Sequence, residues 1–239
     1  TIIYKQGQGP QSIIYKQGQG QGQGPQSIIS GFIQAGGRSS RMNKDKAWLE
    51  FGGVPMIELA LAAAGAAVDH LGIIVNAANP QVERYEKLAE DWGAKLIFDL
   101  HEYLGPLGGI HTALAHCEHS ESALILACDL PFITIEFLSF LRSLHQTGNP
   151  QTGNPQSVTV PLDQSNRLQP LAAIYDRSIE TVVGQMLEAD ELKVDLLYSR
   201  VSTRRVPFAT FSILRDAERF FVNVNTPEDY REAVLGKRL

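Results

Sequence analysis

Residues 34–46, QAGGRSSRMNKDK, combine residue types suited to holding a polyanion. Adjacent Gly36 and Gly37 let the backbone take positive φ and approach a ligand with no Cβ in the way. Successive N–H groups in such a turn form an anion-binding nest. Arg38, Arg41, Lys44 and Lys46 place four positive charges in the same loop. A triphosphate calls for that combination; the glycines alone would suggest only a turn with solvated charges. The loop is not a Walker P-loop, because G-x-x-x-x-G-K-[ST] is absent.

Three polar residues stand where apolar runs end: Asn76, Asp99 and Asp129. Asp129, before Leu130-Pro131, suits Mg²⁺, which takes few carboxylates and completes its octahedron with water and phosphate oxygens. A turn or helix-capping aspartate is the other reading of the same residue. Asp99 has the same placement and reads equally as an exposed turn carboxylate. Asn76 offers an amide to a base or ribose, or simply makes a turn. The six histidines show neither triad nor zinc spacing, and neither GxSxG nor HExxH occurs. Cys117 and Cys128 have no metal-ligand spacing, and Cys128 reads as a buried strand residue of a reduced protein.

The elements that must carry these residues alternate. Apolar strands are expected at residues 28–33, 71–76, 94–99 and 123–129, and helices at 55–68, 80–92, 107–116 and 133–145. Continuous apolar strands between helices imply a mostly parallel sheet covered on both faces, a Rossmann-like α/β fold. Such sheets bind ligands at the carboxyl ends of their strands, where strand order reverses. Further strands are expected near 157–162, 168–175 and 204–208, and a helix near 178–189. Thr226-Pro227 should open a short C-terminal helix.

Residues 1–27 repeat IIYKQGQG and alternate Gln with Gly, leaving no apolar face to bury, so a disordered tail or an expression-derived remnant is expected there. The duplicated QTGNP makes 146–156 an expected mobile surface loop within one domain spanning 28–239. With 44% hydrophobic and 20% charged residues the chain can build an ordinary core. A net charge of -5 argues against binding nucleic acid or anionic membrane. No apolar run reaches the roughly 20 residues of a bilayer span, and no signal-peptide succession is read, so a cytoplasmic protein is expected.

The segment QAGGRSSRMNKDKAWLEFGGVPMIE, followed in order by IIVNAAN, LIFD, GPLGGIHTAL, ACDLPF, QPLAAIY and FVNVNTPEDY, resembles the MobA-like nucleotidyltransferases, in particular molybdenum cofactor guanylyltransferases. The resemblance runs from residue 28 to the C-terminus. It implies transfer of GMP from GTP to the terminal phosphate of molybdopterin, with Mg²⁺ as cofactor and pyrophosphate as product. By motif position it implies nucleotide contacts from the backbone of Gln34, Ala35 and Gly36, with Gly37 beside them, and a phosphate contact from Lys46. Asn76 and Asp99 would meet the guanosine portion, and Asp129 both Mg²⁺ and GTP. Arg41 would join Lys46 in offsetting pyrophosphate charge, and Asn223 and Asn225 would lie near the pterin. Transient contact with molybdopterin-delivering or molybdoenzyme-maturation proteins is compatible with that role.

The family commonly has Leu where Gln34 stands and Gly where Asn43 stands. Pyrimidine-using relatives often carry AAG in place of Ala35-Gly36-Gly37, which favours guanine. Competing readings are a cytidylyltransferase, a sugar-phosphate nucleotidyltransferase, a catalytically inactive nucleotide-binding regulator and an interaction scaffold.

Overall fold

A computed structural model describes residues 27–35, 45–101, 104–117, 122–148, 156–224, 229 and 231–232. The elements alternate much as the hydrophobic pattern requires. Strand β1 (Ile29–Gln34) leads through a short hairpin, β2 (Glu50–Phe51) and β3 (Val54–Pro55), into helix α1 (Met56–Gly65). Then follow β4 (His70–Val75), α2 (Val82–Trp92), β5 (Lys95–Phe98), α3 (Gly105–Ala115), β6 (Ser122–Ala127) and α4 (Ile135–Gln146). The last described elements of any length are β7 (Val158–Pro161), β8 (Ala172–Asp176), α5 (Glu180–Glu188), α6 (Val194–Arg200) and β9 (Thr203–Val206).

Seven strands form one sheet in the order β5-β4-β1-β6-β8-β7-β9. Only β8 runs against the others, so the sheet is mostly parallel, as expected. The chain starts at β1, steps outward to β4 and β5, then returns to the other side of β1 as β6. Strand order therefore reverses between β1 and β6, and the ligand crevice of such a sheet lies at their carboxyl ends.

Both faces are covered. Along β1, Ile29 and Ile33 join a core built with α1, α2 and α4, while Phe32 joins the opposite core with α3, α5 and α6. Each fully buried aliphatic side chain there contributes about 1.5–3 kcal/mol. Cys117 and Cys128 are free and buried, so neither is in a disulfide. No described helix is long and apolar enough to cross a membrane.

Local stops follow the chemistry of the termini. Gly93 ends α2 at φ +61, and its N–H reaches back to Ala89 and Glu90. The Thr134 hydroxyl caps α4 by accepting from Phe137 N at 3.3 Å. Pro55, expected at the helix start, is the N-cap of α1 and the last residue of β3. Helix α6 is poorly marked in the sequence because it is only seven residues long, buries just Val194, Leu197 and Tyr198, and is preceded by Lys193, which has no capping oxygen. Residues 1–26 and 149–155 lie outside the described residues, as do Thr226 and Pro227.

Candidate active site

At the carboxyl ends of β1 and β6 the two strands stay joined past their last ladder pair, Gln34 opposite Ala127. Cys128 N donates to Gln34 O at 3.1 Å. Asp129 follows at once and is held almost out of solvent, 8% exposed. An isolated carboxylate at that depth is costly, and here it is paired: Lys46 Nζ lies 2.5 Å from Asp129 Oδ2. Val224 N donates to the Asp129 carbonyl at 3.1 Å, which brings exposed Asn223 to the same strand end. Burial and then the Asp129 charge push the Cys128 thiol far above its ordinary value, so it is a neutral core group and no nucleophile.

Lys46 opens a 3-10 turn, Lys46–Trp48, whose N-cap is Asp45. Asp45 Oδ1 accepts from Ala47 N at 3.2 Å, and Oδ2 accepts from Tyr85 Oη at 2.7 Å and Asn79 Nδ2 at 3.0 Å. Tyr85 projects from α2 and is fully buried, its ring centroid 5.0 Å from that of Trp48. The Arg84 guanidinium covers the Trp48 ring at 3.7 Å.

Asn76 and Asp99 sit at the ends of β4 and β5. The Asn76 side-chain oxygen accepts from Ala78 N at 2.7 Å, so Asn76 makes its own turn through that oxygen and does not use its amide NH₂ in it. Asp99 continues the sheet by donating its N–H to Val75 O at 2.9 Å. Its Oδ1 accepts from Thr112 Oγ1 at 2.7 Å and His101 N at 3.2 Å, which ties it to α3. Beside it, His101 Nε2 and His111 Nδ1 are 2.8 Å apart; burial and then the neighbouring imidazole lower the His111 pKa.

The expectation for backbone contacts at Gln34 and Ala35 is narrowed. Ala35 N donates to Ile74 O at 2.9 Å, and the Gln34 carbonyl is taken by Cys128, so the sheet already uses both groups. The Gln34 side chain turns toward α3 and crosses Gly109 so closely that a Cβ there would overlap its amide. Its Nε2 is buried with no hydrogen-bond partner among the described residues. Gly36, Gly37, Arg41 and Asn225 lie outside the described residues, as do Arg38, Asn43 and Lys44.

One cation at this end of the sheet was overlooked in the sequence. The loop between β7 and β8 opens toward the same side as the end of β6, and Ala127 N donates to Leu171 O at 2.8 Å. Within it, Asp163 Oδ2 accepts from Arg167 Nε at 2.8 Å, while the Arg167 side chain remains 78% exposed. Burial pushes the Asp163 carboxyl up, but the bonds from Arg167 and the Ser165 amide outweigh it and hold it below the usual carboxylate value. The spacing Asp163-x-x-x-Arg167 in a polar turn was the available signal.

Among the described residues no group of three or more His, Cys, Asp and Glu could hold a metal by itself. A single buried carboxylate at a strand end still fits Mg²⁺, which is commonly held by one or two carboxylates plus substrate phosphates and water.

Residues 31–203 match the family model described as the MobA-like NTP transferase domain. A Flavobacterium johnsoniae protein named "Probable molybdenum cofactor guanylyltransferase" is 32% identical over 205 residues, 85% of this chain and 95% of that protein. A Clostridium perfringens protein of the same name is 30% identical over 214 residues, 88% of this chain and 98% of that protein. Among solved structures, the Archaeoglobus fulgidus molybdopterin-guanine dinucleotide biosynthesis protein A superposes with a TM-score of 0.68. The match covers 87% of this chain and all of that one; at 23% identity it speaks to the fold.

Proposed function

The chain belongs to the MobA-like NTP transferase domain family, and from that premise we propose that it transfers GMP from GTP to the terminal phosphate of molybdopterin, releasing pyrophosphate. The observation that carries the reading is the Lys46–Asp129 pair at the carboxyl ends of β1 and β6. It sets a cation and a buried anion side by side at the sheet's switch point, where a Mg²⁺–triphosphate needs both.

In the reaction a phosphate oxygen of molybdopterin attacks the α-phosphorus of GTP. The new P–O bond forms as the bond to the β-phosphate bridge breaks, and pyrophosphate leaves with the electron pair. A phosphate monoester is largely ionised at neutral pH, so the nucleophile needs no general base. Bringing two anions together is the main barrier, and positioning with charge neutralisation supplies the acceleration. Asp129 would hold Mg²⁺, which when bound draws charge from the phosphate oxygens. Lys46, and Arg41 from the Gly-rich loop, stabilise the leaving pyrophosphate. The Asn76 amide and Asp99 face the guanosine, and the NH₂ left over from the Asn76 turn supports that role. Asn223 and Arg167 meet the anionic acceptor, a role that motif position also implies for Asn225.

The test is pyrophosphate release by the purified protein with molybdopterin as acceptor, comparing GTP with CTP, with and without a chelator. Release with GTP, lost on chelation and restored by Mg²⁺, is expected. Preference for CTP would make the protein a cytidylyltransferase, and tight GTP binding without turnover would make it a regulator.

A further inference from the structure

Lys46 reaches Asp129 from a single turn of 3-10 helix, an element too short to hold itself in place. What holds it is Asp45. A cap of that turn needs one acceptor for one N–H, and Asp45 Oδ1 provides it to Ala47. The second oxygen is used for something else. It takes two donors from residues 34 and 40 positions onward, Asn79 Nδ2 at 3.0 Å and Tyr85 Oη at 2.7 Å.

Both donors are themselves fixed. Tyr85 is fully buried in α2, and burial, then the Asp45 charge, push its phenol far above the ordinary value, so it remains a donor across the working pH range. Asn79 donates its N–H to Asn76 O at 2.9 Å, and its Oδ1 accepts from Gln81 N at 2.8 Å. The same asparagine therefore grips Asp45 and closes the turn that presents Asn76.

We infer that Asp45 is a positioning residue, clamped by Tyr85 and Asn79 so that Lys46 stays aimed at the leaving pyrophosphate, and that Asn79 couples this phosphate end of the site to the guanosine end at Asn76. The inference rests on the nucleotidyl-transfer reading. It adds three residues that do not touch the nucleotide but set where its phosphates are met.

Tyr85→Phe removes one hydroxyl and keeps the ring against Trp48; Asn79→Ala removes the second donor from the surface side. In each, binding of inorganic pyrophosphate, followed by calorimetry, should weaken about five- to tenfold, the size of one lost intramolecular hydrogen bond, while guanosine binding to Tyr85→Phe is unchanged. In Tyr85→Phe, kcat should fall by a similar factor with little change in KM for GTP. In a Lys46→Ala background, Tyr85→Phe should have no further effect on pyrophosphate affinity, because the residue acts through that lysine.

A merely structural hydroxyl would lower Tm and leave the pyrophosphate affinity of the folded protein untouched. That result in both single variants, with an active wild type, overturns the clamp and leaves the transferase reading standing. A wild type that neither binds pyrophosphate nor releases it from GTP overturns both.

Discussion

The Lys46 ammonium meets the Asp129 carboxylate at 2.5 Å across 83 positions of sequence, one side chain entering after the Gly-rich loop and the other at the end of β6. Both side chains are mostly withdrawn from solvent, 24% and 11% exposed. Each therefore compensates the other before any ligand arrives. Under the proposed function, a triphosphate would take over Lys46 and leave the carboxylate to a metal.

Lys46→Met and Asp129→Asn should each lower kcat/KM for GTP by about 100- to 1,000-fold, as expected when one preorganised electrostatic partner is removed. Lys46→Met should also lower unfolding stability by about 1–3 kcal/mol, because it leaves the buried carboxylate without its cation. The double variant should recover most of that stability in urea titrations and none of the activity. A loss in the double variant equal to the sum of the two single losses would show that the pair does not couple.

Gln34→Leu should raise stability by about 1–2 kcal/mol, since the Gln34 NH₂ is buried against Gly109 with no partner among the described residues. In a chain of this size that corresponds to a Tm increase of about 2–8 °C. Gly109→Ala should do the reverse by expelling the Gln34 side chain. Calorimetric scans of the two variants decide it, and a Tm drop in Gln34→Leu would mean that the amide has a partner in solution.

His145 gives the fold a pH dependence. Its ring is held between Ser122 Oγ at 3.1 Å and Thr159 Oγ1 at 2.9 Å, and burial, partly offset by Asp176, lowers its pKa to about 4. The unfolded chain takes up this proton near the ordinary value of 6.5, and the folded chain only near 4. Stability from this group is thus full above pH 6.5, declines as pH falls toward 4 and then levels off. Between pH 8 and pH 5 the loss should be about 2 kcal/mol, read from urea midpoints. His145→Gln should flatten that part of the curve.

Arg167→Ala should raise KM for molybdopterin by about tenfold, the loss of a charge-assisted contact, and leave KM for GTP near its original value. Steady-state kinetics with each substrate varied in turn separates the two. An increase confined to GTP would move Arg167 to the nucleotide side.

Much of this architecture is local information. The runs at β1, β4 and β6 are mostly apolar, so their burial on both faces, their Gly and Pro punctuation and the polar residues that end them are written in adjacent positions. Hence the mostly parallel sheet, the strand ends at Asn76, Asp99 and Asp129, and the family were all legible without coordinates. The direction of β8 was not, because an apolar strand reads the same either way and only its partners β6 and β7 set its sense. Nor was the use of Asp45. As a residue type it announces a cap, and the second oxygen acquires its role only when α2 brings Tyr85 across 40 positions to meet it. The same holds for Gln34, whose backbone is absorbed by the sheet and whose amide is trapped by a glycine on α3. Sequence by itself determined which elements form and what chemistry stands at their ends, since both depend on neighbours along the chain. Tertiary structure alone decided which of those end groups touch, because hydrogen bonds and ion pairs act over a few ångströms and are blind to how far apart in sequence their partners began.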